Sequence, residues 1–482
     1  MKDRLRRWAM DSPVNLAVFR VVVGVVLLRL PDLGAAVHWA SMSDRMRTPP
    51  VGLEWALGVV PMGVEVARPL YWIVVAATVL GVVGLATRVA WTVVALGSLW
   101  LLAIPQFAGS VFHYHHLVWF AMLLAASPCG DALSIDARIA RWRGKAPPSG
   151  AVPSSSGSMA RADLTRSEGR GARPRARRRA PANTERSLAY GVPIRAAWLL
   201  VALIFFFPGL HKLLESGWEW IWSDNLQNQM YAKWLQMPEF TPLFRVDRYP
   251  TLVRLGALSA VAFELSFVGL VLFRRTRLVA VAIALAFHQA TAELMGIRFP
   301  ALWLCYVVFV DWEALYRRAR RLAPAEPPAA SVRWPRVSMI VAGVLLAGNL
   351  AYGAAGISDG WPFACYPKFH RTVQARLPAL RVEVVAADGA VREVPVDAMS
   401  PGGPTQRWWA ITWSVMGAHE RARAEPARWS AFWRSIARRP AVEALARDAV
   451  AVRFSRDMIS TVPEDADDPP LSTRVLYELP LR

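Results

Sequence analysis

The stretch "FFFPGLHKLLESGW", Phe205 to Trp218, ends one of the most apolar runs of the chain in a histidine and a lysine, His211 and Lys212. Further ionisable residues sit in equally apolar surroundings. "FHYHHLVWF" carries His113, His115 and His116, "FELSF" carries Glu264, and "FHQATAEL" carries His288 and Glu293. Lysine and histidine are the side chains that take and give protons in catalysis, and carboxylates are their usual partners. A charge placed centrally in a membrane costs about 2.5–3.5 kcal/mol on insertion scales, so such groups pair or line a cavity. A lysine shut away from water beside imidazoles that can charge would be drawn towards the free amine, able to accept a proton.

Each residue also has a plainer reading. Lys212 could snorkel, its stem lying along a helix while the ammonium reaches the interface. The histidines of "HYHH" could be solvated at a helix end, bind metal or act in catalysis. His288 could serve packing alone, and Glu264 could be protonated or paired with a histidine. What favours a shared pocket is convergence, since the groups come from separate apolar segments and fall near the same end of each.

The elements that must position them are membrane helices. The 482 residues are 54% hydrophobic, include 22 tryptophans and have a mean hydropathy of +0.27. Apolar windows of about 18 residues or more can cross a hydrocarbon core of about 30 Å. Such windows run Asn15 to Leu30, Pro69 to Ala86, Val89 to Phe107, His115 to Ala126, Arg195 to Leu214, Leu252 to Phe273, Leu278 to Met295, Phe299 to Val310 and Val337 to Ile357. Those starting at His115 and Phe299 are short. Basic clusters at "MKDRLRR", Arg88, Arg138 to Arg186, "RRTR" and "YRRARRL" occupy every second connection, which places the N-terminus and these loops inside.

A net charge of +20 raises the question of nucleic acid, yet the basic residues lie between apolar segments, and no nucleic-acid partner is expected. Their richest block, Arg161 to Arg186, reads as a disordered topogenic loop. Arg20 interrupts the first apolar stretch and no clean cleavage site follows, so that stretch reads as an uncleaved span. Cys129, Cys305 and Cys365 form no ligand or disulfide spacing, and no metal is expected.

The tail reads differently. "RVEVVAADGAVREVPV" (Arg381 to Val396) alternates around Asp388-Gly389, a hairpin signal. "ARWSAFWRSIARRPAVEALARDA" has helical spacing interrupted at Pro440, and "AVAVRFS" and "TRVLYEL" read as strands. The divisions are then 1–130, a first helical part; 131–193, a basic cytoplasmic loop; 194–357, a second helical part; and 358–482, an exterior domain. The fold class is an all-α polytopic membrane protein of nine transmembrane helices with a small C-terminal α+β extramembrane domain.

Three segments carry a resemblance to a known family: "VFHYHHLVWFAMLLAASPCGDALSID" from Val111, "FFFPGLHKLLESGW" from Phe205, and "FELSFVGLVLFRRTRLVAVAIALAFHQATAELMGI" from Phe263. Their order and spacing resemble the HTTM (horizontally transferred transmembrane) domain proteins, which include the vitamin K-dependent γ-glutamyl carboxylases. The resemblance implies Lys212 as the base that starts the reaction on a reduced vitamin K-type quinol. It implies His115, or His116 after a shift of one, as a group that steadies the anion. Phe287-His288 matches the family's later Phe-His, and Glu264 sits where an acidic residue often occurs. His211 stands where the animal enzymes carry a second lysine. Long exterior peptide-holding regions are lacking, and "ITWSVM" (Ile411 to Met416) only faintly resembles the family's glutamate-binding segment.

The expected activity is quinol-driven carboxylation of an acidic side chain or small substrate, with Lys212, His115 and His288 catalytic and His116, His211, Glu264 and Glu293 supporting the pocket. Membrane lipid, a quinone-like molecule and a peptide or small acidic substrate are the expected partners. The alternative is a non-catalytic membrane protein that binds or handles a quinone- or lipid-like ligand. A transporter is the weaker third reading, because no paired Gly/Pro-broken spans occur.

Overall fold

The computed structural model describes residues 2–56, 59–60, 62–109, 114–144, 186–322, 334–364, 369–399, 405–422 and 426–481. His113, Cys365 and all but the last residue of the Arg161 to Arg186 block lie outside the described residues, so the readings made on them find no structural counterpart. The chain is mainly helical, with a small antiparallel sheet near its C-terminus.

Among the described residues, seven helical stretches are long and apolar enough to cross a membrane: Pro13–Trp39, Val64–Val83, Thr87–Phe107, Leu188–Ser216, Pro250–Leu272, Arg277–Met295 and Arg336–Ala354. Two of the nine expected spans fall short. His115–Ala125 has 11 residues, about 16 Å of helix, and Pro300–Phe309 breaks into one helical turn and a 3-10 segment. The reason is burial. Leu117, Val118, Trp119 and Phe120 are fully enclosed by the other helices, so protein replaces lipid around a segment too short to cross alone.

Arg20, which breaks the hydropathy of the first helix, is fully buried there and donates to the carbonyls of Cys129 and Leu133 at 2.9 and 2.6 Å. Its neighbours explain a difference at the proposed loop of 131–193, whose two ends are ordered. Ser134 caps a helix, Ile135–Trp142, and Asp136 accepts from the backbone of Ala86 and Thr87. On the other side Ser187 pairs with Asp11, and Arg195 binds Asp11 at 2.8 Å. The described parts of the basic segments thereby meet at one end of the bundle, where Asn15 also holds Asp311 and Arg277 lies over Trp198.

The tail folds as its pattern indicates. Strands β1 (Arg376–Ala386), β2 (Val391–Glu393), β3 (Ala449–Ser460) and β4 (Ser472–Pro480) form one antiparallel sheet in the order β2-β1-β3-β4. Gly389 takes the left-handed φ of +84° that the Asp388-Gly389 turn needs. Val382 opposes Phe454 and Val384 opposes Val452, and all four are buried. The helices Thr405–Ala422 and Pro426–Ala437 cover that face, with Trp429 stacked on Phe454 at 4.5 Å. Ile411 to Met416 lies on the first of these helices.

Candidate functional site

At the end of the bundle opposite the basic segments, three long helices, several shorter ones and a strap from the tail line a cavity of about 150 Å³. Helical phase decides what enters it. Phe205, Pro208 and Lys212 recur at three and four residues on one face of Leu188–Ser216, Ala260 and Glu264 on Pro250–Leu272, and Phe287, His288, Thr291 and Met295 on Arg277–Met295. His116, from the start of the short helix His115–Ala125, completes the polar part of the lining. Most of the remaining wall is apolar, including Ile204, Leu226, Ile297 and Leu302.

Lys212 and Glu264 are both about 95% buried and form a two-pronged ion pair, Nζ lying 2.5 and 2.6 Å from the two carboxylate oxygens. Lysine, rather than the histidine considered from sequence, is therefore the partner of Glu264. Gly209 makes the approach possible. It lies on the Lys212 face three residues earlier, and a Cβ there would stand 2.8 Å from Glu264 Cβ. The Lys212 ammonium also lies 4.8 Å from the centre of the Trp220 ring, a cation–π contact.

His288 closes the far side. Its Nε2 is 2.7 Å from the Tyr306 hydroxyl, and its Nδ1 has no hydrogen-bond partner among the described residues. Phe205, Phe287 and Phe299 surround the ring. His116 Nε2 donates to the carbonyl of Ala301 at 3.0 Å.

The other residues picked from sequence lie around the cavity rather than in its lining. His115 is fully buried one residue earlier, a turn of about 100° away. Its Nε2 donates to the Gly360 carbonyl at 2.9 Å and its ring packs on Trp361. His211 likewise turns from Lys212 towards the helix Arg336–Ala354, donating to the Gly353 carbonyl at 2.7 Å. Glu293 accepts from Gln289 at 2.7 Å and stays partly exposed.

Beside His211 lies a second polar group. Glu215 touches His211 Nδ1 at 3.4 Å, His370 Nε2 at 3.2 Å and Arg371 Nε at 3.2 Å. Burial pushes the His370 imidazole below its ordinary value. The Glu215 carboxylate pulls the other way, while Arg371 adds to the lowering.

Several lining residues were not picked out from sequence. Trp220, Leu226 and Gln229 come from two short helices, Glu219–Trp222 and Asn225–Leu235, in the connection between the helices Leu188–Ser216 and Pro250–Leu272. Phe369 comes from the strap and adopts a left-handed φ of +63°. Its carbonyl accepts from Trp220 Nε1 and Gln229 Nε2 at 2.6 and 3.3 Å. The spacing of Asn225 and Gln229, one helical turn apart, was the available signal, because amides on one face of a helix bind backbone.

Among the described residues, no three His, Cys, Asp or Glu side chains come together in a way that could hold a metal. No family model, no curated protein and no solved structure matches the chain.

Proposed function

We propose that the protein is a polytopic protein of the bacterial inner membrane, N-terminus cytoplasmic and residues 358–482 outside, whose cavity uses Lys212 to start a quinol-driven carboxylation of the HTTM and γ-carboxylase type. The observation that carries this reading is the buried Lys212–Glu264 pair in the wall of a mostly apolar cavity that also bears His116 and His288. The gathering of the basic segments at the far end supports the orientation.

A reduced naphthoquinol suits such a lining, with phenylalanine rings for its apolar body and an ion pair for a hydroxyl group. When bound with oxygen, that group supplies a base strong enough to remove a carbon-bound proton next to which carbon dioxide is captured. The chain's own contribution is proton handling. Lys212 passes a proton to Glu264 across their short contact, and its free amine then takes a hydroxyl proton. The pair as a unit gains one proton, and the restored ammonium balances the negative charge left in the cavity. Trp220 and the aromatic wall keep water from competing for that proton.

The second reading is a non-catalytic protein that binds a quinone- or lipid-like molecule, and the dominance of apolar residues in the lining favours it. One comparison separates the two. Purified protein and Lys212→Ala are given a reduced naphthoquinone, oxygen, labelled bicarbonate and a glutamate-containing peptide. Incorporation of label by the wild type that is lost in the variant, with quinone binding retained, supports catalysis. Binding without turnover in either protein supports the second reading.

A further inference from the structure

We propose that the helices Ile135–Trp142 and Trp312–Ala319 are interfacial anchors that lie along the membrane surface at the basic end of the bundle and recruit anionic phospholipid. The inference rests on reading the long apolar helices as membrane spans and is independent of any chemistry in the cavity.

The two helices are built alike. Each has eight residues, and each follows a segment too short to cross a membrane, His115–Ala125 in one case and Pro300–Phe309 in the other. Each is capped by a side chain, Ser134 Oγ accepting from the Ala137 amide at 2.9 Å and Asp311 Oδ1 from the Ala314 amide at 3.1 Å. Each carries one acidic residue, Asp136 or Glu313, and both are taken up by the protein. Asp136 accepts from the amides of Ala86 and Thr87, while Glu313 accepts from Arg317 Nε at 3.0 Å and donates its amide to Asn15. Eight residues make about 12 Å of helix, too little to be stable without such fastenings.

The fastened side fixes what faces away. At about 100° per residue, Ile135, Ile139 and Trp142 fall within about 40° of one line along the first helix, and Asp136 lies about 100° from it. Leu315, Tyr316 and Ala319 make the same stripe on the second helix, with Glu313 again turned off it. Trp142 is 86% exposed and Leu315 and Tyr316 are each 51% exposed, so neither stripe is covered by the protein. The boundary between headgroups and acyl chains buries such a face. Beside the stripes stand Arg138 and Arg141 on one helix and Arg318 on the other, all exposed. With both acids turned inward, neither helix carries a carboxylate to balance these charges, and the headgroups of anionic lipid do so. Where the preceding segment is too short to set its own depth, the anchor sets it.

The test attaches a nitrobenzoxadiazole fluorophore to Ile139→Cys, Leu315→Cys or Val344→Cys in the full chain carrying Cys365→Ser. The remaining cysteines, Cys129 and Cys305, are buried and stay unlabelled. Val344, exposed on the helix Arg336–Ala354, is the control for a lipid-facing span. Each protein is placed in phosphatidylcholine nanodiscs containing the same small fraction of nitroxide-labelled phosphatidylcholine or nitroxide-labelled phosphatidylglycerol. The Val344 label should be quenched by both lipids equally. The labels at 139 and 315 should be quenched by both and more strongly by phosphatidylglycerol, whose local concentration rises about fivefold for each arginine engaged. Arg138→Gln/Arg141→Gln should bring the label at 139 to equal quenching and leave that at 315 unchanged. Labels at 139 or 315 that emit as in water overturn the proposal. Labels there that are shielded from water yet unquenched overturn it too, because the chain itself then covers the stripe. Equal quenching by the two lipids without the arginine substitutions does the same, and that comparison decides alone if the double variant does not fold. If the Val344 label also escapes quenching, the membrane reading falls with the anchors; if it is quenched while the others are not, the anchors fall alone.

Discussion

Replacing Lys212 and Glu264 singly and together by methionine measures whether the two side chains form one energetic unit. Both are almost wholly buried, and the Lys212 ammonium lies 2.5 and 2.6 Å from the two oxygens of the Glu264 carboxylate. Lys212→Met leaves a carboxylate facing an apolar wall, and removing one partner of a buried pair costs about 3–5 kcal/mol. Glu264→Met leaves the ammonium with the Trp220 ring at 4.8 Å, a contact worth up to about 2 kcal/mol when desolvated, so it should be the milder change. Lys212→Met/Glu264→Met removes both charges and fills the space with side chains of similar volume, an exchange that is often neutral. The double variant should then sit well above the sum of the single losses, with a coupling on the order of 3 kcal/mol or more. Tryptophan fluorescence during heating of protein in nanodiscs, at one fixed scan rate, reads all four proteins. The single variants should melt roughly 5–10 °C lower. Additive losses in the double variant would mean that the charges do not compensate each other, and the ion pair would have to be discarded.

Gly209→Ala places a Cβ 2.8 Å from Glu264 Cβ and 3.3 Å from its Oε2, and overpacking of this kind costs about 1–3 kcal/mol. The helical preference of alanine returns about 0.5–1 kcal/mol, so the thermal midpoint should fall, and a rise would show that the two helices are not in contact there. His370 gives a pH prediction. Its folded-state value is depressed, chiefly by burial, below the ordinary 6.5, so the unfolded chain takes up the proton first as pH falls. Stability is then fully present above that value and is lost as pH drops below it. His370→Gln should flatten the melting midpoint between about pH 7 and 5 relative to wild type, and an unchanged slope would remove His370 from the account.

Hydropathy made the long helices legible because each is a long run of apolar residues, enough by length and composition to cross a membrane. The two short segments broke the rule, since their surroundings are other helices. At the site, residue types were legible and phase was not. His115 and His116 differ by one position, yet one sits under Trp361 and the other lines the cavity, because a single step turns a helix by about 100°. The same step separates His211 from Lys212. Only the helices against which a segment packs supply the reference that fixes such a rotation. A better signal lay in "PGLHK". A glycine three residues before a buried lysine marks the place where a neighbouring helix comes close, and that neighbour carries Glu264. The contact between Tyr306 and His288 left no comparable trace, because it joins residues 18 apart on two elements.

The roof of the cavity shows why function was the least legible part. It is held through its backbone. Ser216, Asn228 and Gln229 donate to the carbonyls of His370, Val373 and Arg371, and Asn225 accepts from the Val373 amide. Together with the two bonds to the Phe369 carbonyl, these contacts hold a strap that has no regular structure of its own, each worth about 1 kcal/mol. Three residues beyond Val373 the chain enters β1, so the sheet fixes the strap's other end. Side chains from the helical part bind main chain from the tail, and neither side shows a pattern that names the other. The tail is therefore part of the site's architecture: the helices carry the Lys212–Glu264 pair and His288, and the strand that follows the strap holds the cover over them.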